Sequence, residues 1–495
     1  MKRNHLFFLT AALLFSNLAF AENSDAAVSQ ASIPDTTTLL LSYVENDSEL
    51  KNLTLAAKKA ALSYQSAKID TGFDVTLSSG TVTLQVSDDG ADLTAKPSVK
   101  ASLPQASNLS VSAQTNYSSE ADGSKLSDTS LSLGVDIISS AVISNKLTKL
   151  KAERSLTEAQ RKIEKRAIAA EKEFYTALKG LLTSINSIMT KRQTLYEDSI
   201  SFEAIKIQGY SKASSTYRQA ELKVISDQHD VDSAIHSFKY DCIVFYKKCG
   251  YDLEIDDKAD LMTFVPAGID EVEAVDVKDF DKELYTDIES ANWTYYINSM
   301  ERSSKKNYNL SASAGYTFDN SSTKSDSVNA GLSGSIGGLT LGAGISMPVG
   351  NSSEGNTKAS SPVYTLSASL SPNTFRKNSI TKQQNELTEE QELLAIQTAE
   401  AAYETKVVEL EQKLDTLLWE KKSAEENLSM YEGLEKDMAQ LYKQGYTSET
   451  EYLSAKNNLN SSIIKKISNL IDLIIYNDDV ISNFVNEAEK NEKED

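Results

Sequence analysis

A long helical pattern broken by a Gly-Tyr-Ser/Thr turn occurs twice in this chain. Residues Leu441 to Leu459, LYKQGYTSETEYLSAKNNL, recur in degraded form 236 residues earlier as Ile205 to Leu222, IKIQGYSKASSTYRQAEL. In both copies the helix stops at the glycine and resumes at once, so the neighbouring helices are free to run antiparallel. Gly209 and Gly445 suit a position of positive φ just past a helix end. The chain therefore reads as two tandem helical hairpins.

The remaining helical seams follow. Ile163, Ala167, Ala170, Phe174, Ala177 and Leu181 keep heptad spacing inside a segment from about Ser140 to Gln208, and a segment of that length spans ~100 Å if continuous. The return helix, about Ser214 to Cys249, carries Val231, Ile235, Phe238, Cys242, Phe245 and Cys249 at alternating steps of four and three. Both thiols are thus seam residues. Seven residues apart on one helix, they stand ~10 Å apart along the axis, too far to bridge. In the second half Tyr403, Val407, Leu410, Leu414 and Leu417 repeat the pattern from about Phe375 to Lys443. Tyr452, Ala455, Leu459, Ile463, Ile467, Leu470 and Ile474 carry it after Gly445.

Between helices the texture changes to alternation. Val75 and Leu77, Val82 to Val86, Leu109 to Tyr117 and Leu131 to Ile137 place apolar residues at every second position, with Ser, Thr, Gln and Asn between. The second half offers four such runs, Leu310 to Phe318, Val328 to Ile336, Leu339 to Val349 and Tyr364 to Leu370. Residues 87–102 read as a turn-rich gap.

Lys2, Arg3, the apolar run Leu6 to Leu14 and the small residues Ala19 and Ala21 form the pattern of a secretory signal peptide over 1–21. No other segment is apolar for the length a spanning helix requires, and Ile463 to Ile481 is interrupted by five charges. A membrane is therefore to be entered by strands. Strands of about ten residues with one apolar and one small polar face fit a transmembrane β-barrel. They also fit a soluble antiparallel sheet with one solvated face, which strand pattern alone slightly favours as the commoner case. The combination with a signal peptide and very long helices favours the barrel.

The expected organisation is a signal peptide (1–21), a first repeat (22–250) with strands over 73–137 and a hairpin over 140–249 tipped at 209–213, and an acidic connection (251–281). A second repeat (282–487) has strands over 309–370 and a hairpin over 375–487 tipped at 445–449, before a disordered tail (488–495). The net charge, −21, becomes −23 without Lys2 and Arg3, which argues against nucleic acid as a partner. Of three histidines, His5 lies in the signal, and His229 and His236 lack metal-site company. No nucleophile elbow, phosphate loop or zinc-protease helix occurs, so no enzyme, cofactor or metal is expected.

The order helix, strands, long helix, glycine turn and return helix, given twice, resembles the TolC-like outer membrane efflux proteins, over nearly all of the chain. NDSEL (46–50) is similar to the family's N-P-E-L, and LPQ (103–105) precedes a strand ending in Tyr. The residues after each tip glycine are similar to G-x-x-x-x-x-D-x-x-x-A. The resemblance implies a mainly α fold with β, in which a homotrimer forms an outer-membrane β-barrel continuous with a periplasmic α-helical coiled-coil tunnel. Its tip would dock a periplasmic adaptor (membrane fusion) protein on an inner-membrane transporter, in tripartite efflux or type I secretion. Family patterns of two strands per half give about twelve in a trimer. Four runs per half either enlarge the barrel or form hairpins beyond it.

By the same resemblance Gly209, Tyr210, Ser211, Gly445, Tyr446 and Thr447 meet the adaptor. Read plainly they are helix-breaking turn residues, and for the two glycines that reading has equal weight. The gate positions hold Tyr442, Thr447, Glu451 and Ser454; the family's basic residue and second acid are missing, and the first half has Ser215 where an acid is expected, with Ala220 one residue out of register. Three copies of Glu451 would make a carboxylate ring that attracts cations, although a lone helical Glu is more often a solvated surface charge. A structural or adhesive coiled-coil envelope protein without transport is the alternative, and a paralogue serving protein secretion is a second.

Overall fold

The computed structural model describes residues 27–28, 34–87, 90–104, 107–120, 123–138, 140–256, 260–266, 268–305, 308–318, 326–349 and 361–485. The expected signal peptide and C-terminal tail lie outside them. In chain order the elements are α1 (Thr36–Asn46), α2 (Ser48–Asp70), β1 (Asp74–Ser78), β2 (Thr83–Ser87), β3 (Gly90–Ala95), β4 (Ser98–Leu103), β5 (Leu109–Glu120), β6 (Gly123–Ile138), α3 (Ser140–Ile207) and α4 (Ser215–Lys248). The second half follows with α5 (Thr286–Ser304), β7 (Tyr308–Phe318), β8 (Asp326–Ile336), β9 (Leu339–Val349), β10 (Val363–Leu370), α6 (Pro372–Lys443) and α7 (Glu449–Ser482). None of the described helices is long and apolar enough to cross a membrane.

The chain folds as two compact units. One comprises residues up to 55, 160–286 and 401–495, and the other 56–159 and 287–400. Each unit thus takes segments from both halves of the sequence.

In the first unit most of the expected seam residues join the core; Ile463 is the exception at 40% exposed, with Ile464 buried beside it. Phe174, Leu178, Phe238, Cys242 and Tyr246 are fully buried, as are Ile471 and Tyr476. Phe174 lies 5.2 Å from Phe245 between ring centroids and 5.7 Å from Tyr43. Lys172 and Lys413 both pair with Asp479, and Lys179 pairs with Asp472 at 2.6 Å, so charged side chains on α3 and α6 hold the register of α7. The NDSEL interruption has a local cause. The Asp47 N–H bonds to the Val44 carbonyl, which closes α1, while its Oδ1 accepts from the Leu50 N–H at 2.6 Å and so opens α2. Arg166 donates to the other Asp47 oxygen. Burial opposes the Asp47 charge, but these bonds overcome it and hold the carboxyl below its ordinary range.

The acidic connection is docked against the core. Phe264 and Val277 are buried, the Asn477 amide donates to the Glu273 carbonyl at 2.8 Å, and the Val275 N–H donates to the Asn477 side chain at 2.9 Å. Its lack of periodicity reflects short 3-10 turns, each opened by an aspartate cap at Asp260, Asp276 or Asp281.

The second unit is a ten-stranded antiparallel sheet flanked in sequence by α2, α3, α5 and α6. Its strand order runs β10-β9-β8-β7-β6-β5, after which β5 pairs with β4 along its first half and with β3 near its end; β4 pairs with β1, and β3 with β2. Four strands of the first half (β1, β4, β5, β6) and four of the second (β7 to β10) therefore form one meander. The β2–β3 hairpin is an addition to it. Two of these strands, β3 and β4, fall in the stretch the alternation left as a gap. Val99, Ala101 and Leu103 do alternate, but Lys100 between them and the preceding Pro97 hide the run. The halves join through β6 and β7, from Thr129 opposite Phe318 to Ile138 opposite Leu310.

Candidate functional site

The sheet has two faces of opposite chemistry, and the register shows how uniform each is. Across β4, β5, β6, β7, β8, β9 and β10, one row reads Val99, Ala113, Leu131, Tyr316, Val328, Met347. The next reads Ala101, Val111, Leu133, Ala314, Ala330, Ile345, Tyr364. The intervening positions on the other face hold Lys100, Ser112, Ser132, Gly315, Asn329 and Ser346. Because side chains alternate along a strand, the apolar residues gather on one side, with Pro348, opposite Ser327, and Val363, opposite Ser346, the exceptions on the other. Among the described residues nothing covers the apolar side: Leu131 is 53% exposed, Leu332 48% and Leu366 86%. A contiguous apolar surface of this size is not left to water by a folded chain.

The polar side is a trough of about 570 Å³, lined by serines and glycines including Ser110, Gly134, Ser313, Gly331, Gly342 and Gly344. Hydroxyls pair across strands, Ser112 with Ser132 at 2.6 Å and Ser311 with Ser333 at 2.7 Å. The glycines let hydroxyls of the next strand lie over the backbone. A Cβ on Gly342 would stand 2.6 Å from the Ser367 Oγ, and one on Gly344 2.6 Å from the Thr365 Oγ1. Among the described residues that line it, Lys100 and Asp136 alone bring charge to this trough.

The hairpin turns form the second candidate region, within the first unit. Gly209 and Gly445 both have φ of +77° with open space around the missing Cβ, so each glycine is required by backbone conformation. At the second turn the Gly445 N–H bonds to the Tyr442 carbonyl and the Tyr446 N–H to that of Leu441, a Schellman closure. Tyr210 and Tyr446 are exposed, as is Ser211. Tyr442 stacks on Tyr452 at 5.3 Å between centroids, which ties the two arms just above the turn.

Glu451 faces its own helix start. Its Oε2 accepts from the Thr447 hydroxyl at 2.5 Å and from the Ser448 N–H and hydroxyl, and Ser448 Oγ in turn accepts from the Glu451 N–H: a capping box. The Thr447 hydrogen bond, then those from Ser448, hold the Glu451 carboxyl below its ordinary range. The signal was present as Ser448-x-x-Glu451. In the first hairpin Ser214 caps α4 by accepting from the Tyr217 N–H at 3.2 Å, and Ser215 is exposed without a capping carboxylate. Ser454 is half-buried one residue before the buried Ala455. The two hairpins meet through Asn457 and Gln193 at 2.8 Å and Ser461 and Asn186 at 2.6 Å. A hydrogen bond to Glu449 raises the Tyr196 hydroxyl above its usual range. These cross-links were not legible in sequence. Among the described residues no cluster of His, Cys, Asp and Glu has the arrangement of a metal site.

Two family models match the chain in succession, the TP096X N-terminal domain over residues 39–269 and the TP096X C-terminal domain over 270–487. Together the two matches span 39–487. Solved structures with a similar chain course include a membrane protein from Pseudomonas aeruginosa, at 14% identity and a TM-score of 0.46, covering 91% of this chain and 90% of that one. The outer membrane protein VceC from Vibrio cholerae is similar at 13% identity and 0.44, covering 91% and 97%. The Neisseria gonorrhoeae MtrE outer membrane channel is similar at 13% and 0.45, covering 93% and 94%. No curated protein matches the sequence.

Proposed function

We propose that this chain is the outer-membrane exit duct of a tripartite efflux or type I secretion system, a trimer that receives substrates from an inner-membrane transporter through a periplasmic adaptor. The observation that carries the reading is the two-faced sheet. An uncovered apolar face across eight strands suits lipid, and a hydroxyl- and glycine-lined face suits a water-filled lumen. The helical hairpins occupy the periplasm in this reading, with their turns as the docking end. Gly209, Tyr210, Ser211, Gly445, Tyr446 and Thr447 are the proposed adaptor contacts. Tyr442, Glu451, Ser454 and Ser215 line the proposed entrance, where Glu451 acts first as a helix cap and offers its charge to the axis only as far as that bond allows.

Selection of cargo falls upstream, since a trough with one lysine and one aspartate makes few specific contacts. The test is a single preparation of the mature protein: detergent extraction, particle mass and planar-bilayer conductance. A detergent-stable trimer that inserts and conducts supports the duct. An assembly that stays in water or does not conduct moves the function to a structural envelope role.

A further inference from the structure

Behind the Gly209 turn, the two arms of the first hairpin bring two carboxyls together. Asp198 on α3 and Asp227 on α4 stand within hydrogen-bond reach of each other. Oδ1 of Asp198 accepts from the Lys223 ammonium at 2.8 Å. Its Oδ2, and the Oδ2 of Asp227, are buried and have no hydrogen-bond partner among the described residues.

Ionised carboxylates only accept hydrogen bonds, so two of them in this position repel and leave both buried oxygens unsatisfied. The arrangement becomes favourable when one carries a proton, because the protonated carboxyl then donates to the other. The surrounding charges decide which one it is. The hydrogen bond from Lys223 outweighs burial and draws Asp198 below its ordinary range, so Asp198 stays ionised. Asp227 is placed the opposite way. Burial raises its carboxyl first, then the bond with Asp198 and the Asp198 charge; Asp230, one turn along α4, adds to the rise, and Lys223 opposes it. Lys191 of α3 donates to the Asp230 carbonyl at 3.4 Å.

We infer that Asp198 and Asp227 share one proton, as a clasp between the arms of the first hairpin that closes in mild acid and opens when that proton leaves to water. The two carboxyls set its range from opposite sides. What the Asp227 proton contributes is complete below the unfolded carboxylate value and is lost as pH rises through the raised folded one. What the Asp198 charge contributes is present above the unfolded value and is lost as pH falls through its depressed folded one. The clasp is therefore tightest between the two.

The second hairpin responds to acid with the opposite sign. There Glu451 accepts from Ser448 and Thr447, and those bonds weaken as its carboxylate takes up a proton. Within the exit-duct reading, the clasp stiffens the arms that carry Tyr210 and Ser211 to the docking end. The clasp itself stands without that reading.

The test is amide exchange of the full-length protein, followed by mass spectrometry and corrected for the intrinsic pH dependence of exchange. It reads local opening of the peptides around Asp198 and Asp227. Protection there is expected to fall severalfold from mildly acid to mildly alkaline pH, while protection at the start of α7 rises over the acid part of the range. D227N puts a permanent amide donor in place of the proton, and is expected to keep the acid level of protection at every pH. D227A removes the pair, and is expected to give a pH-independent level below that of D227N. The α7 step, read in the same samples, shows that a variant has kept its fold. No step in the parent, a step of the opposite sign, or the parent's step persisting in D227N would overturn the clasp. So would neutral-pH protection that a chelator removes, which would put a cation rather than a proton between the oxygens.

Discussion

The helical unit and the sheet are built from similar shares of Leu, Ile, Val and Tyr, yet treat them oppositely. Phe174, Leu178, Phe238 and Tyr476 are fully buried in the helical unit, while Leu131, Leu133, Leu332 and Leu366 of the sheet stand largely open. The first pattern is that of a chain solving its burial problem alone. The second is a surface whose solvent is something other than water, or whose cover is another molecule. Hydrophobic residues at equal sequence density thus say little until the register shows which side they share.

Substitutions sharpen this contrast. Phe174→Ala should cost about 3–5 kcal/mol wherever the protein is placed, because the cavity opens in a packed core; thermal unfolding followed by helical circular dichroism reads it. Leu332→Arg on the open face should cost about 2–4 kcal/mol for insertion into lipid vesicles. In a water-exposed sheet the same change would stay within about 0.5 kcal/mol, so a neutral outcome breaks the comparison. On the opposite face Gly342→Val should cost about 1–3 kcal/mol by pushing against the Ser367 hydroxyl, detected as earlier dissociation of the assembly in detergent on heating.

Smaller effects belong to the turns. Gly445→Val forces a β-branched residue to positive φ, a strain on the order of 1–3 kcal/mol. Adaptor binding should weaken more than assembly, and loss of the assembly itself would make the glycine a folding residue. Least costly is Glu451→Gln. The Glu451 carboxyl sits below its ordinary range when folded, so its contribution is complete above the unfolded carboxylate value and is lost as pH falls through the depressed folded one. Amide exchange at the start of α7 should accelerate at acid pH in the parent and show no such step in E451Q. Unchanged ion selectivity in E451Q would leave Glu451 as a cap alone.

Much of this architecture was legible in sequence because the signals are local. Glycines with a forced φ end both long helices, and heptad spacing marks Phe174, Phe238 and Leu410 as buried. Strands β7 to β10 stand out by strict alternation. Less legible was whatever depends on partners distant in sequence. The double task of Asp47 needs Arg166, and the docking of the connection needs Asn477. Strand β4 is revealed by β1 and β5 on either side rather than by its own composition. At the tips the turns were readable, whereas the Tyr442 and Tyr452 stack and the bond between Tyr196 and Glu449 join arms that only the fold brings together.

The central claim is that one face of the sheet meets lipid and the other water. The direct measurement is an environment-sensitive fluorophore placed in turn at Val328, Asn329, Ala330, Gly331, Leu332 and Ser333 of β8, in vesicles with and without brominated acyl chains. The account predicts alternation, with blue-shifted, bromine-quenched signals at Val328, Ala330 and Leu332 and water-like signals at the other three. Water-like signals at all six positions would contradict it.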